Sequence, residues 1–186
     1  MPKIILQSIY MFCCFKKPWN SAGCFFTDGR YFLAGYQRKK TCISGIGGMK
    51  NIGEQPIYTA IRETIEELFD ILVPASVILE IIDVIYAKQT VNGSYIMFVL
   101  SFDDLDTIIS FLHNCNITSN LYDTFPKNVV ELVFNRKVCT SEISHLALLP
   151  FVKNLKISHE ILDDIRIVSS DVENRVEYLQ YSSKEL

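Results

Sequence analysis

The residues with the clearest capacity for chemistry are Glu63, Glu66 and Glu67, which follow the glycine pair Gly47-Gly48 with Lys50, Glu54 and Arg62 between them. On a helix, positions i, i+3 and i+4 project from one face, so the three carboxylates share a side. Glu63 and Glu67 are like charges one turn apart, which costs an isolated helix roughly a few tenths of a kcal/mol. A hard divalent cation relieves that repulsion, because it takes carboxylate oxygens and substrate phosphates together. A solvated acidic helix face is the alternative, and composition does not separate the two. Register favours chemistry: Glu54 follows Gly48 by six residues, and the pair Arg62-Glu63 begins eight residues after Glu54.

These residues need a helix and a turn to hold them. Pro56 suits the first helical position, where a missing N–H costs nothing. The spacing predicts a helix over 57–69, with Ile57, Ile61, Ile65 and Leu68 on the face opposite the glutamates. Upstream, Ala22–Thr27 and Arg30–Gln37 flank Asp28-Gly29, which predicts a two-residue hairpin turn with positive φ at both central positions. The cationic run Arg38-Lys39-Lys40 lies just ahead of the glycine pair. Leu79–Lys88 and Ser94–Phe102 flank Asn92-Gly93, a second hairpin signal. Asp103–His113 reads as a helix, Asn114–Asp123 as loop, and Pro126–Lys137 equally as helix or strand. Glu142–Phe151 reads as a strand. Ser158–Val168 reads as an amphipathic helix with Ile161, Leu162, Ile165 and Val168 inward. The apolar run Ile4–Phe15 is expected to be a strand, and Val172–Tyr181 a short helix. Interspersed strands and helices with hairpins predict an α/β fold, a mixed central β-sheet with helices on both faces. We expect a single domain over 1–170 and a C-terminal extension over 171–186.

The bulk composition sets limits. A chain of 186 residues with 49% hydrophobic and 21% charged residues has the make-up of a globular domain. A net charge of −3 argues against a protein that coats nucleic acid generally, while leaving room for a local basic groove. Six cysteines without a CxxC pair and only three histidines give no zinc spacing, and point to reduced thiols. The first apolar run lacks a cleavage signal, and no window approaches ~20 uninterrupted apolar residues. The expectation is a cytoplasmic protein with no membrane partner.

Gly48, Glu54, Arg62, Glu63, Glu66 and Glu67 together resemble the Nudix box, G-x5-E-x7-R-E-U-x-E-E-x-G-U, where U is bulky and aliphatic. The chain departs from that pattern at Thr64, Phe69 and Asp70, where the box has U, glycine and U. These departures remove no carboxylate and suggest a reshaped helix exit. The resemblance implies an α/β/α sandwich and Mg2+- or Mn2+-dependent hydrolysis of a diphosphate linkage. It implies Glu63, Glu66, Glu67 and a carbonyl of Gly47 or Gly48 as metal ligands, with Arg62 and Glu54 orienting them. Many Nudix enzymes also begin a late strand with a Glu-Ile pair, which makes Glu142 a candidate metal ligand or general base. By strand alternation His145, the weaker candidate for the base, should face the other way. The catalytic candidates are therefore Glu67, Glu142, Glu66 and Arg62.

A softer resemblance, over about 25 residues, is to the decapping enzymes of large DNA viruses. It implies capped RNA as substrate and m7GDP as product. Such an enzyme stacks a methylated guanine on aromatic rings and tracks RNA with cations. Trp19 and Tyr36 are the candidate stackers, with Tyr31 and Tyr95 as further choices. Arg38, Lys39, Lys40 and Lys50 are candidate phosphate contacts, with Lys16 and Lys17 behind them. A nucleotide-type small molecule is the competing substrate: a nucleoside triphosphate, a dinucleoside polyphosphate or a diphosphoinositol polyphosphate. A non-catalytic binding module is the third reading, and the intact glutamates argue against it.

Overall fold

The computed structural model describes residues 18–137, 141–151 and 161–168. The expected strand Ile4–Phe15, the candidate cations Lys16 and Lys17, the first residues of the expected helix Ser158–Val168, and the 171–186 extension lie outside the described residues.

Strand β1 (Ser21–Phe26) runs antiparallel to β4 (Ile46–Met49) and parallel to β6 (Tyr95–Leu100), and β6 pairs antiparallel with β5 (Lys88–Asn92). This four-stranded mixed sheet has the order β4-β1-β6-β5. A second, antiparallel sheet places β2 (Tyr31–Gln37) between β3 (Cys42–Ser44) and β7 (Ile143–Pro150). The mixed α/β class with its mixed sheet is as expected, and a smaller antiparallel sheet stands beside it. The division falls at the β1–β2 connection, which is joined by an isolated bridge between Thr27 and Phe32. That turn is longer than two residues. Gly29 alone has positive φ, and the Asp28 carboxylate accepts hydrogen bonds from the backbone N–H groups of Arg30 and Tyr31. An aspartate side chain closing its own turn replaces the expected second left-handed residue.

Alternation along β1 puts Cys24 and Phe26 on one face and Phe25 on the other, and the packing follows it. The first face joins α1 (Pro56–Phe69) through Ile57, Ala60, Ile61, Ile65 and Leu68, with Leu33, Ile143 and Leu146 of the smaller sheet completing this core. The opposite face packs Phe25, Phe32, Ala34 and Met97 against Ile161 and Val168 of the helical stretch 161–168. Helices therefore flank the strands on both sides. Pro56 opens α1 as anticipated. Leu79–Lys88, expected to be an arm of the second hairpin, is mostly helix: α2 spans Ala75–Val84, and only from Lys88 does β5 begin. The β-branched run suggested a strand, yet Ile78 and Ile81 are buried at helical spacing against α1 while Leu79 stays exposed. Helix α3 (Phe102–Asn114) matches expectation and opens on a reciprocal cap between Ser101 and Asp104. The ambiguous 126–137 stretch contains the short helix α4 (Val129–Phe134). Among the described residues no helix is long and apolar enough to cross a membrane.

The exit of α1 is reshaped by a shift of one residue. Phe69, where the Nudix box has glycine, is helical and fully buried, and the left-handed turn falls on Asp70 (φ 54, ψ 45). The last carbonyls of a helix need partners from outside it. Here Glu66 O accepts from the Asp70 N–H, Glu67 O from Arg136, Leu68 O from Arg136 and Tyr122, and Phe69 O from the Ser119 hydroxyl. A non-glycine residue in the left-handed region is strained. Asp70→Gly is therefore expected to raise the free energy of unfolding by about 0.5–1 kcal/mol in a denaturant titration. A loss of stability would mean that the Asp70 side chain makes a stabilising contact beyond the backbone cap.

Candidate active site

The turn after β3 brings the glycine pair against the glutamate face of α1. Gly47 donates its backbone N–H to Glu67 Oε2 at 2.7 Å. A Cβ on Gly48 would overlap the Glu63 carboxylate, so only glycine leaves room for that side chain to lie on the strand. Glu67 is only 8% exposed, since β4 lies across this face of α1.

Arg62 organises the remaining carboxylates. Its Nε and Nη2 hold the two oxygens of Glu54 at 2.8 and 3.1 Å, and Nη2 also reaches the Met49 carbonyl at 2.8 Å. Its Nη1 contacts Glu63 at 2.7 Å and Glu66 at 3.1 Å. Glu54 further accepts from the Asn51 backbone N–H, the Asn51 side chain and the Thr59 hydroxyl. One planar guanidinium therefore fixes the loop to the helix.

The electrostatics diverge between these groups. Burial acts to raise the pKa of Glu54, but the bonds from Arg62, Thr59 and Asn51 outweigh it and hold Glu54 down at about 2. Glu67 goes the other way: burial dominates, the Glu142 and Glu63 charges add to it, and the Gly47 N–H and Lys40 only partly offset it, leaving Glu67 at about 8. Glu63 is raised as well, chiefly by burial, with Arg62 opposing. Glu54 yields a pH prediction. Its stabilisation is complete above its unfolded value near 4.5 and is lost as pH falls through about 2, with an upper bound of about 3 kcal/mol. Acid unfolding of Glu54→Gln, followed by circular dichroism, should lack that part of the slope between pH 4.5 and 2. An unchanged slope would remove Glu54 from the account.

Glu142 immediately precedes β7, is exposed, and lies close enough to Glu67 for its charge to act there. Sequence reasoning paired these two residues across 75 positions, and the fold does bring them near each other. A register shift interrupts the alternation before His145: Tyr36 pairs with His145 and Gln37 with Ile143, so Ser144 is inserted between them. His145 hydrogen-bonds Ser144 and packs its ring edge on Tyr36.

The expected substrate contacts are scattered. Lys40 acts electrostatically on Glu67 and lines a cavity of about 520 Å3 beside Gly47 and Gly48. Arg38 and Lys39 are exposed on the turn between β2 and β3. Lys50 lies 4.7 Å over the Trp19 ring, and Trp19 packs against the main core, so these two engage one another. Tyr95, one of the further stacker candidates, also lines the cavity, whereas sequence reasoning missed Gln37, Ser44, Asp163 and Asp164, which have no motif. A second cavity of about 550 Å3, between the 51–58 segment and α2, is mainly apolar and contains none of Glu63, Glu66 or Glu67.

The donor set suits a hard cation: carboxylates, backbone carbonyls at a glycine pair, and no thiolate or imidazole among them. The space that Gly48 leaves open is filled by a carboxylate, which fits such a centre. In the conformation described, Glu63 and Glu66 turn to Arg62 and Glu67 to Gly47. Among the described residues no three acidic, histidine or cysteine side chains converge as a ligand group.

No protein-family model and no curated protein sequence matches the chain. Solved structures do resemble it. One is a bifunctional NMN adenylyltransferase/ADP ribose pyrophosphatase from Francisella tularensis, complexed with AMP and a Mn ion, at 14% identity and TM-score 0.45, covering 91% of this chain and 46% of that one. A UDP-X diphosphatase is 10% identical with TM-score 0.46, covering 91% and 70%. A C. elegans Ap4A hydrolase is 13% identical with TM-score 0.36, covering 86% and 96%. The chain spans about half the length of the bifunctional enzyme. Likeness at this level assigns neither reaction nor substrate.

Proposed function

We propose that this chain is a Mg2+- or Mn2+-dependent Nudix-type hydrolase that cleaves the diphosphate linkage of a nucleotide-type substrate. The observation that carries the reading is the set Glu63, Glu66 and Glu67 on one helix, locked by Arg62 and Glu54 and laid against Gly47-Gly48 beside a cavity with a lysine in its wall. Glu63, Glu66, Glu67 and the Gly48 carbonyl would hold the cation. When bound, the cation neutralises phosphate oxygens and acidifies a water. The chain's own residues do the rest. Lys40 draws the phosphates toward the carboxylates, Gly47 keeps Glu67 in one orientation, and Arg62 keeps Glu63 and Glu66 from swinging into solvent. Glu142, exposed and near Glu67, accepts the proton of the attacking water.

For the substrate we favour a free nucleotide derivative. A cavity of about 520 Å3 matches one nucleoside moiety, and Asp163 and Asp164 on its wall suit hydroxyl or amino donors better than a polyanion. A specific observation supports capped RNA as the second reading: the exposed turn Arg38-Lys39 leads directly to Lys40 at the site. A panel of capped RNA, cap analogue, nucleoside triphosphates, dinucleoside polyphosphates and diphosphoinositols, assayed with Mn2+, tests both. Cleavage of free nucleotides with capped RNA intact supports the first reading. Cleavage of capped RNA alone, weakened by Arg38→Ala and Lys39→Ala, supports the second. No Mn2+-dependent cleavage of any member would overturn the proposed function.

A further inference from the structure

Accepting that reading of the site, we infer that Arg136 is a positioning residue for the reaction, tying the end of α1 that carries Glu67 to the start of β7 that follows Glu142. Its Nη2 donates to the Glu67 carbonyl at 3.0 Å and to the Ile143 carbonyl at 2.7 Å. Its Nη1 donates to the Leu68 carbonyl at 2.5 Å and to the Tyr122 hydroxyl at 3.2 Å. One rigid fork thus holds the backbone of a candidate metal ligand and the backbone next to the candidate base. Each carboxylate is at most one residue from a carbonyl that Arg136 grips.

The chemistry explains why arginine is required. The two carbonyls of α1 are orphans of the helix end, where a positive charge is also favoured. A glycine exit would leave them to the following backbone, but Phe69 continues the helix, so a side chain from elsewhere must reach them. Only a planar guanidinium offers enough donors, in fixed directions, to satisfy α1 and β7 at once. Tyr122 braces it, its hydroxyl lying 3.1 Å from Leu68 O and 3.2 Å from Leu132 O. Arg136 contacts backbone carbonyls and the Tyr122 hydroxyl, and none of these contacts is to a carboxylate. It fixes the separation between Glu67 and Glu142, and displacing catalytic groups by about 1 Å can cost ~10²-fold in rate.

Arg136→Lys and Arg136→Met test this in the full chain, with Ile109→Val, a core change on α3, as a stability control. The readouts are thermal midpoint, kcat and KM for the best-hydrolysed member of the panel, and Mn2+ affinity measured with the metal alone. We expect both Arg136 variants to lose about 10–100-fold in kcat or Mn2+ affinity, with KM within about twofold, because outer partners of metal ligands act on that scale. Ile109→Val should shift only the midpoint. If Arg136→Lys is folded and retains wild-type kcat and Mn2+ affinity, or if its losses match those of Ile109→Val, the positioning role is overturned while the hydrolase reading stands. If the wild type itself neither binds Mn2+ nor cleaves the panel, the underlying reading fails, and the role of Arg136 fails with it.

Discussion

Glu67→Gln is expected to lower kcat by roughly 10³-fold or more while making the metal-free protein more stable at neutral and alkaline pH. The two effects share one cause. Glu67 is a buried carboxylate crowded by Glu63 and Glu142, and its folded-state value of about 8 lies above the unfolded value near 4.5. A raised carboxylate contributes its full stability below pH 4.5 and loses it as pH rises through 8. At pH 7 the accumulated loss is on the order of 3 kcal/mol. Glutamine still accepts the Gly47 N–H bond but carries no charge. In EDTA, the thermal midpoint of wild type should therefore fall from pH 5 to 9 more steeply than that of the variant, by several degrees. The two should coincide near pH 4.5. A variant less stable than wild type at pH 8 would mean that the Glu67 charge is already compensated within the fold.

The second large effect belongs to Arg62. Arg62→Ala removes the shared partner of Glu54, Glu63 and Glu66 and the donor to Met49 O. Both Arg62 and Glu54 are mostly buried, at 14% and 11% exposure, so breaking the pair leaves uncompensated charge. The expected cost is about 3–5 kcal/mol by chemical denaturation, with at least about a 10²-fold loss of activity. Arg62→Lys should recover little, since one ammonium cannot hold two oxygens of Glu54 and also reach Glu63. A cycle of Arg62→Ala with Glu54→Gln should show coupling of about 1 kcal/mol or more. Additivity would mean that the two act independently despite their bidentate contact.

How far the sequence foretold this site depends on how local each cause is. Helix α1 was legible because Pro56 and the Ile57, Ile61, Ile65, Leu68 stripe act within one element. The pairing of Glu67 with Glu142 followed from the Nudix resemblance, since periodicity alone carries no information about contacts so distant in the chain. Four features stayed hidden because their causes are tertiary. Burial of Glu67 depends on β4 lying across the glutamate face. Arg136, Tyr122 and Ser119 serve carbonyls far away in sequence, and no spacing rule links a guanidinium to a helix end it meets only after folding. The β-branched stretch in α2 reads as strand until α1 supplies the surface that buries Ile78 and Ile81. The two-sheet arrangement is another such case, since a single hairpin signal at Asp28-Gly29 does not tell which partners each arm will find.

That Glu63, Glu66 and Glu67 form a divalent-cation centre is tested most directly by Mn2+ titration followed by the electron paramagnetic resonance signal of the free ion. Wild-type protein should remove that signal saturably, and Glu67→Gln and Glu63→Gln should bind Mn2+ more weakly by about tenfold or more. Wild type that leaves the free-ion signal untouched, or variants that bind Mn2+ as wild type does, would contradict it.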